Sequence, residues 1–328
     1  MCTTCGCSKG AHTVYTDSQT GERIETPRDG ASGAAPEPGS WRQLATRASA
    51  SSVAAHLHAR AHAHSHPHSH PHPHDRAHPD AHGGNEASLD DTRAPGAEAA
   101  LVAATHGTTI ALEQDVLAKN QSIAEDNRAW LASREIVALN LVSSPGAGKT
   151  TLLERTIRDL RGTLPIQVIE GDQATLNDAE RIRATGCRVV QINTGTGCHL
   201  DAGMVSRALE QLDPPPRSWL MIENVGNLVC PALFDLGEQA KVVILSVAEG
   251  EDKPLKYPHM FRASRLMLLS KIDLLPHLHF DVERCIAYAR QINPLIDVLQ
   301  VSAQTGAGMQ AWYAWLQAVV SDTTETVR

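Results

Sequence analysis

A strand-like run, IVALNLV at 136–142, ends in SSPGAGKTT, Ser143 to Thr151, and a helical stretch, TLLERTIRDL, begins at once. This junction constrains the fold more than any other feature of the chain. Glycines at 146 and 148 let the backbone close around phosphate oxygens, while the N–H groups and the start of the helix offer partial positive charge. Lys149 is placed to neutralise the β- and γ-phosphates and the Thr150 hydroxyl to ligate Mg²⁺. Ser144, Gly146, Ala147, Gly148, Lys149, Thr150 and Thr151 are therefore the candidate phosphate-binding residues. The usual pattern has glycine six residues before the lysine, and this chain has Ser143 there.

A phosphate loop of this kind sits on a parallel sheet. The rest of the sequence supplies one. Apolar runs alternate with helical stretches at 166–170, 188–193, 218–225, 241–247, 265–270 and 297–302. They are rich in Val, Ile and Leu without strict alternation, the pattern of strands covered on both faces. The expectation is an α/β, doubly wound, mainly parallel domain over 108–328. A helix over about 110–134 precedes it, with Leu112, Val116, Ile123 and Trp130 as its expected buried stripe.

Base choice is read further along. RLMLLSKID ends in Ser270-Lys271-Ile272-Asp273, close to the guanine-reading Asn-Lys-x-Asp. The Asp273 carboxylate can accept from guanine N1–H and the exocyclic amine, whereas adenine would leave the charge unpaired. Lys271 is expected to lay its stem along the base. Ser302-Ala303 matches a later base-contacting turn. Asp172 and Glu223 stand at strand ends where Mg²⁺ or the attacking water should lie, so Lys149, Asp172 and Glu223 are the candidate catalytic set and Thr150, Asp172 and Glu223 the candidate magnesium set.

Two clusters have metal-ligand chemistry. Cys2, Cys5 and Cys7 form CTTCGC, in which spacings of three and two converge the sulfurs and Gly6 permits a tight fold; zinc, nickel and copper(I) all suit such thiolates. GTGCHLD and NLVCP place Cys198, His199 and Cys230 in loops after core strands, which in a doubly wound sheet gather at the nucleotide edge. Two cysteines and one histidine do not close a tetrahedral site, so water or a second copy is expected to complete it. Cys187 and Cys285 lie beside apolar runs and read as packing residues.

Between the tip (1–10) and the domain lies 11–107, rich in Ala, His, Pro, Gly and Ser. Eleven histidines fall between His56 and His82, with His62, His64, His66, His68, His70, His72 and His74 on alternate positions and prolines between. Without large apolar side chains such a tail is expected to be disordered. The net charge is −8 and there is no basic block, which argues against nucleic acid. No apolar run reaches the roughly 18 residues of a membrane span, and the start of the chain is not a secretory signal. Seven cysteines, three of them in the tip, suit thiolate metal binding in a reducing cytoplasm.

Taken together, SSPGAGKTTLL, EGDQ, NTGTGCHLD, IENVGNLVCP, SKIDLLP and the CTTCGC tip resemble the HypB family of dimerising P-loop GTPases. The resemblance implies GTP and GDP as nucleotides and nickel at Cys2, Cys5 and Cys7. It further implies a nickel or zinc site at Cys198, His199 and Cys230, and a homodimer formed through the GTPase domain. It implies as partners a HypA-type zinc protein and the large subunit of a [NiFe] hydrogenase, with the histidine tract as a nickel store of low affinity. Two alternatives remain at this stage: a urease-type nickel accessory GTPase, disfavoured because Cys198-His199 is followed by Leu200, and a nickel buffer for which GTP hydrolysis is secondary.

Overall fold

The computed structural model describes residues 12–17, 19–27, 95–173 and 177–326, with side chains outside 95–113 and 320–326. All seven apolar runs are parallel strands: β3 (Val137–Ser143), β4 (Ile166–Asp172), β5 (Arg188–Asn193), β6 (Trp219–Glu223), β7 (Ala240–Ser246), β8 (Leu266–Ser270) and β9 (Asp297–Gln300). Two further strands, β1 (His12–Asp17) and β2 (Arg23–Pro27), complete a sheet of order β2-β1-β5-β4-β6-β3-β7-β8-β9.

Alternate residues of each parallel strand enter opposite cores. Leu139, Leu141 and Val168 pack on Leu152, Leu153 and Trp312 of one face. Ala138, Ile169 and Ile222 pack on Leu131, Met204 and Leu209 of the other. Each such side chain taken fully from water contributes about 1.5–3 kcal/mol, and this two-sided burial is why the strands read as continuous apolar runs.

Two expectations need correction. The tail expected from 11 to 107 contains structure at both ends. β1 and β2 form an antiparallel hairpin, and β1 pairs antiparallel with β5 in the register Val14 to Asn193 and Asp17 to Val190. Thr13, Tyr15 and Asp17 face inward. Asp17 closes the turn, its Oδ1 accepting from Gln19 N at 2.7 Å, and Gly21 supplies the positive φ of 71°. At the far end, helix α1 runs Pro95–Ser133, well ahead of residue 108.

The second correction concerns the face of α1. Val116 is 49% exposed. The inward positions are Asn120, Ala124, Asn127 and Leu131, a helical spacing whose polar members are satisfied. Asn120 donates to Asp235 O at 2.8 Å and accepts from Ala202 N at 2.8 Å. Asn127 donates to Ala202 O at 2.9 Å and Leu236 O at 3.1 Å. Trp130 is partly buried against the core, in line with expectation. Leu112, Cys2, Cys5, Cys7 and the histidine tract fall outside the residues whose side chains are described.

Candidate nucleotide and metal site

The C-terminal ends of β3, β4, β5, β6, β8 and β9 deliver every candidate side chain within the described residues to one edge of the sheet. The turn after β3 has Gly146 at φ 74° and Gly148 at φ 96°, conformations that a Cβ disfavours, and Gly148 leads into helix α2 (Lys149–Asp159). Ser143, the departure from the usual pattern, accepts from Lys149 Nζ at 2.9 Å and so holds the ammonium over the loop. Gly226 backs this turn: a Cβ there would lie 3.0 Å from Pro145 Cα.

Lys149 is 8% exposed, and burial lowers its pKa against the opposing pull of Glu223, Asp178, Glu170 and Asp172. Thr150 Oγ1 donates to Glu223 Oε1 at 2.7 Å. Glu170 was not expected from sequence. It stands directly opposite Glu223 in the β4–β6 register, so the two carboxyls share one face. Burial raises Glu170 to about 9, helped by the neighbouring Glu223, and raises Glu223 to about 7 despite Lys149 and Thr150. One oxygen of each, Glu170 Oε2 and Glu223 Oε2, is buried without a hydrogen-bond partner. These two buried carboxyl oxygens, the Thr150 hydroxyl bonded to the other oxygen of Glu223, and Asp172 two residues on from Glu170 are the oxygen-rich surroundings a hard divalent cation requires.

A cavity of about 260 Å³ opens beside the loop, lined among others by Gly148, Thr151, Lys271, Asp273, Ala303 and Gln304. Lys271, in the left-handed conformation at φ 60°, reaches Gly146 O at 2.7 Å, so its stem forms one wall. Ser270 donates to Ala147 O at 2.7 Å, which ties the end of β8 to the phosphate loop. Ser302 is fully buried and its hydroxyl donates to Asp273 Oδ1, fixing that carboxylate. Ser302 thus acts on Asp273, while Ala303 lines the cavity.

Cys198, His199 and Cys230 converge. One ligand atom from each lies within 4.8 Å of the others, with Cys198 Sγ 3.2 Å from Cys230 Sγ and 3.7 Å from His199 Nδ1. Both cysteines are half-buried; His199 is buried, its ring 4.1 Å from that of Phe234. Cys187 and Cys285 are buried and pushed up to about 12 by desolvation, so both stay protonated thiols.

A buried polar chain joins the loops of this cluster. Leu200 N, next to His199, donates to Asn224 Oδ1 at 3.2 Å; Asn224 Nδ2 donates to Asn140 Oδ1 at 3.2 Å; Asn140 Nδ2 donates to Glu238 Oε1 at 3.0 Å. Glu238 pairs with Lys241 at 3.7 Å, and Lys241 donates to Pro231 O at 2.7 Å, next to Cys230. Asn224 also follows Glu223 directly, so one strand end serves both the Thr150 contact and the metal-loop contact.

With this geometry in view, comparison with known proteins is informative. The model of the CobW/HypB/UreG nucleotide-binding domain matches residues 137–300. The Escherichia coli K12 protein "Hydrogenase maturation factor HypB" is 61% identical over 206 residues, 63% of this chain and 71% of that protein. The chain belongs to the HypB family. The crystal structure of HypB from Archaeoglobus fulgidus is 39% identical, with a TM-score of 0.58, covering 62% of this chain and 99% of that one. HypB from Helicobacter pylori, crystallised in complex with nickel, is 35% identical, with a TM-score of 0.59 over 62% of this chain and 96% of its own. This HypB-family chain therefore has the P-loop nucleotide-binding fold, and among its described residues no helix is long and apolar enough to cross a membrane.

Proposed function

We propose that this protein is a GTP-hydrolysing nickel metallochaperone that supplies nickel for maturation of a [NiFe] hydrogenase. The observation that carries the reading is the convergence of Cys198, His199 and Cys230 on the sheet edge that also holds the phosphate loop. Two soft sulfurs and an imidazole suit nickel(II) or zinc(II), and a carrier site has reason to leave a coordination position open. The nickel-bound Helicobacter pylori relative and the hydrogenase-maturation name of the Escherichia coli relative support the same reading.

In this mechanism Asp273, held by Ser302, accepts from the guanine edge and Lys271 covers the base. Lys149 leaves Ser143 for the phosphates, and the Gly146 to Thr151 loop wraps them. Thr150, Asp172 and Glu223 are the residues that would hold Mg²⁺, which would supply charge neutralisation during phosphoryl transfer. Asp172 and Glu223 are placed to orient water. Because Asn224 follows Glu223, a change at the γ-phosphate end shifts Leu200 and with it His199. The Cys2, Cys5 and Cys7 tip is the tight nickel site and the histidine tract a weaker store. Dimerisation through the GTPase domain, a HypA-type partner and the hydrogenase large subunit complete the pathway.

The test is nickel titration of full-length protein carrying Cys2→Ala, Cys5→Ala and Cys7→Ala, with no nucleotide, GDP, or a non-hydrolysable GTP analogue. Affinities should differ between nucleotide states by about tenfold, a coupling of about 1.4 kcal/mol. Lys149→Ala should abolish both hydrolysis and the difference. Equal affinities in every state would leave two unconnected sites and end the chaperone reading.

A further inference from the structure

Helix α1 buries two carboxamides, and each of them holds two loops at once. Asn120 accepts from Ala202 N at 2.8 Å and donates to Asp235 O at 2.8 Å. Asn127, about two turns further on, donates to Ala202 O at 2.9 Å and to Leu236 O at 3.1 Å. Asn120 is 7% exposed and Asn127 4%. Ala202 is fully buried and opens the helix Ala202–Leu212, where the first N–H groups have no partner within the helix. The Asp201 side chain takes Met204 N at 2.7 Å, and Asn120 takes Ala202 N from outside the helix.

The two stretches bridged in this way lead straight from the cluster. Ala202 stands three residues after His199 and Asp235 five after Cys230, at most roughly 11 Å and 18 Å of chain. Arg128 Nη2 adds a clip from α1, donating to Asp235 Oδ1 at 2.7 Å and Oδ2 at 2.6 Å. The fit is close, since a Cβ on Gly237 would lie 2.8 Å from Ala124 O. Phe234, whose ring packs on His199, immediately precedes the clipped aspartate. The Asn224 chain joins the same loops nearer the strands, and α1 adds a second tie further along each of them.

We propose that Asn120 and Asn127 are positioning residues for the metal cluster: α1, when seated, sets the separation of Cys198 and His199 from Cys230, and lifting α1 lets the two cysteines part. The consequence for nickel rests on the function proposed above, whereas the spacing of the two thiols does not. A ligand set works as a site when its supporting hydrogen bonds hold it to within about 0.5 Å. Here the ligands sit on loops that follow different strands, β5 and β6, so their spacing needs a tie that spans both. Two carboxamides on one rigid helix supply it, because neither loop can shift against the other without breaking a bond to each.

The test uses full-length protein with Cys2→Ala, Cys5→Ala and Cys7→Ala, in which Cys198 and Cys230 are half-buried thiols beside the buried Cys187 and Cys285. Cobalt(II) is the probe, because its thiolate charge-transfer bands arise only from sulfur ligands and its d–d bands report their geometry. Asn120→Ala and Asn127→Ala should each weaken thiolate-bound cobalt about tenfold, the low end for losing a group that orients metal ligands, and shift the d–d bands. Leu316→Ala, in the core on the other face of the sheet, should lower the urea midpoint but leave cobalt affinity and bands unchanged. Should an asparagine variant fail to fold, Arg128→Ala removes only the outer clip and should weaken cobalt about two- to threefold. A second readout needs no metal. Dibromobimane fluoresces once it bridges two neighbouring thiols, and its bridged fraction should fall in the asparagine variants and hold in Leu316→Ala. Unchanged bridging in every variant would overturn the proposal, as would equal losses in Leu316→Ala and the asparagine variants. Bridging that fell while cobalt kept its affinity and bands would overturn the role at the metal. If the parent protein gave no thiolate-bound cobalt while bridging still fell with the asparagines, the metal reading would fail and the positioning of the two loops would stand.

Discussion

Replacing Asn224 by alanine removes one side chain that serves two loops, and its cost follows from what is stranded. The backbone N–H of Leu200, a residue with 0% exposure, loses its acceptor, and Asn140 Oδ1, also at 0%, loses its donor. Each buried polar group left unpaired costs about 1–3 kcal/mol, so the pair predicts a loss of about 2–6 kcal/mol. That is a large share of the 5–15 kcal/mol typical of a domain. Because Leu200 adjoins His199, the metal site should feel the same change, and a loss of 1.4 kcal/mol there lowers nickel affinity about tenfold. Urea unfolding of the metal-free chain measures the first effect, and nickel titration with the three tip cysteines replaced by alanine measures the second. A stability loss below about 1 kcal/mol would show that the network is not what holds these loops. Full stability loss with unchanged nickel affinity would show that His199 is positioned by other means, such as its contact with Phe234.

Other expectations follow from the same geometry. Asp273→Asn should weaken GTP by about 1.5–3 kcal/mol, the worth of a charge-assisted hydrogen bond, and favour xanthosine triphosphate, as competitive nucleotide titration would reveal. Burial raises Glu170 to about 9 and Glu223 to about 7. The folded chain therefore holds more protons than the unfolded one from about pH 4.5 upward, and stability falls as pH rises through that window. The melting temperature of nucleotide- and magnesium-free protein should drop from pH 6 to 8.5, and Glu170→Gln should raise it at pH 8; a rise over that range in the unsubstituted protein would contradict the placement. Deleting 56–82 should reduce the number of nickel ions bound but spare the tight tip site. Binding by that tract should fall steeply between pH 7.5 and 5 as imidazoles protonate, which equilibrium dialysis at the two pH values checks.

The parallel sheet and the phosphate loop were legible because their signals are local. An apolar run covered on both faces looks the same wherever it sits, and Gly146 and Gly148 encode their own turn. The meeting of Cys198 with Cys230 followed from topology, since loops after parallel strands share an edge. Three things escaped. β1 alternates Thr13, Tyr15 and Asp17 inward, and an inward aspartate that serves the turn breaks the apolar pattern by which a strand is recognised. The face of α1 was placed only in part: Trp130 packs on the core as read, but Asn120 and Asn127 are buried for their amides, while Val116 looks out to solvent. Glu170, Asn140 and Asn224 derive their roles from residues across the sheet, which spacing along the chain does not record. A polar residue inside an otherwise apolar strand, as in IVALNLV and IQVIE, was the one available sign.

The hairpin at the start of the chain also settles how the protein can be cut. β5 carries RVVQIN, and without β1 its row of N–H and C=O groups would be bare at the margin of the sheet. Exposed, apolar sheet margins recruit strands from other molecules. β2 ends the sheet instead with Arg23, Glu25 and Pro27, a charged and proline-bearing strand that discourages such addition. A fragment beginning at 108 looks natural from composition, yet it would present β5 to its neighbours and self-associate through backbone pairing. Its oligomers would report the missing hairpin, so fragments meant to isolate the GTPase domain need residues 12–27 joined back on.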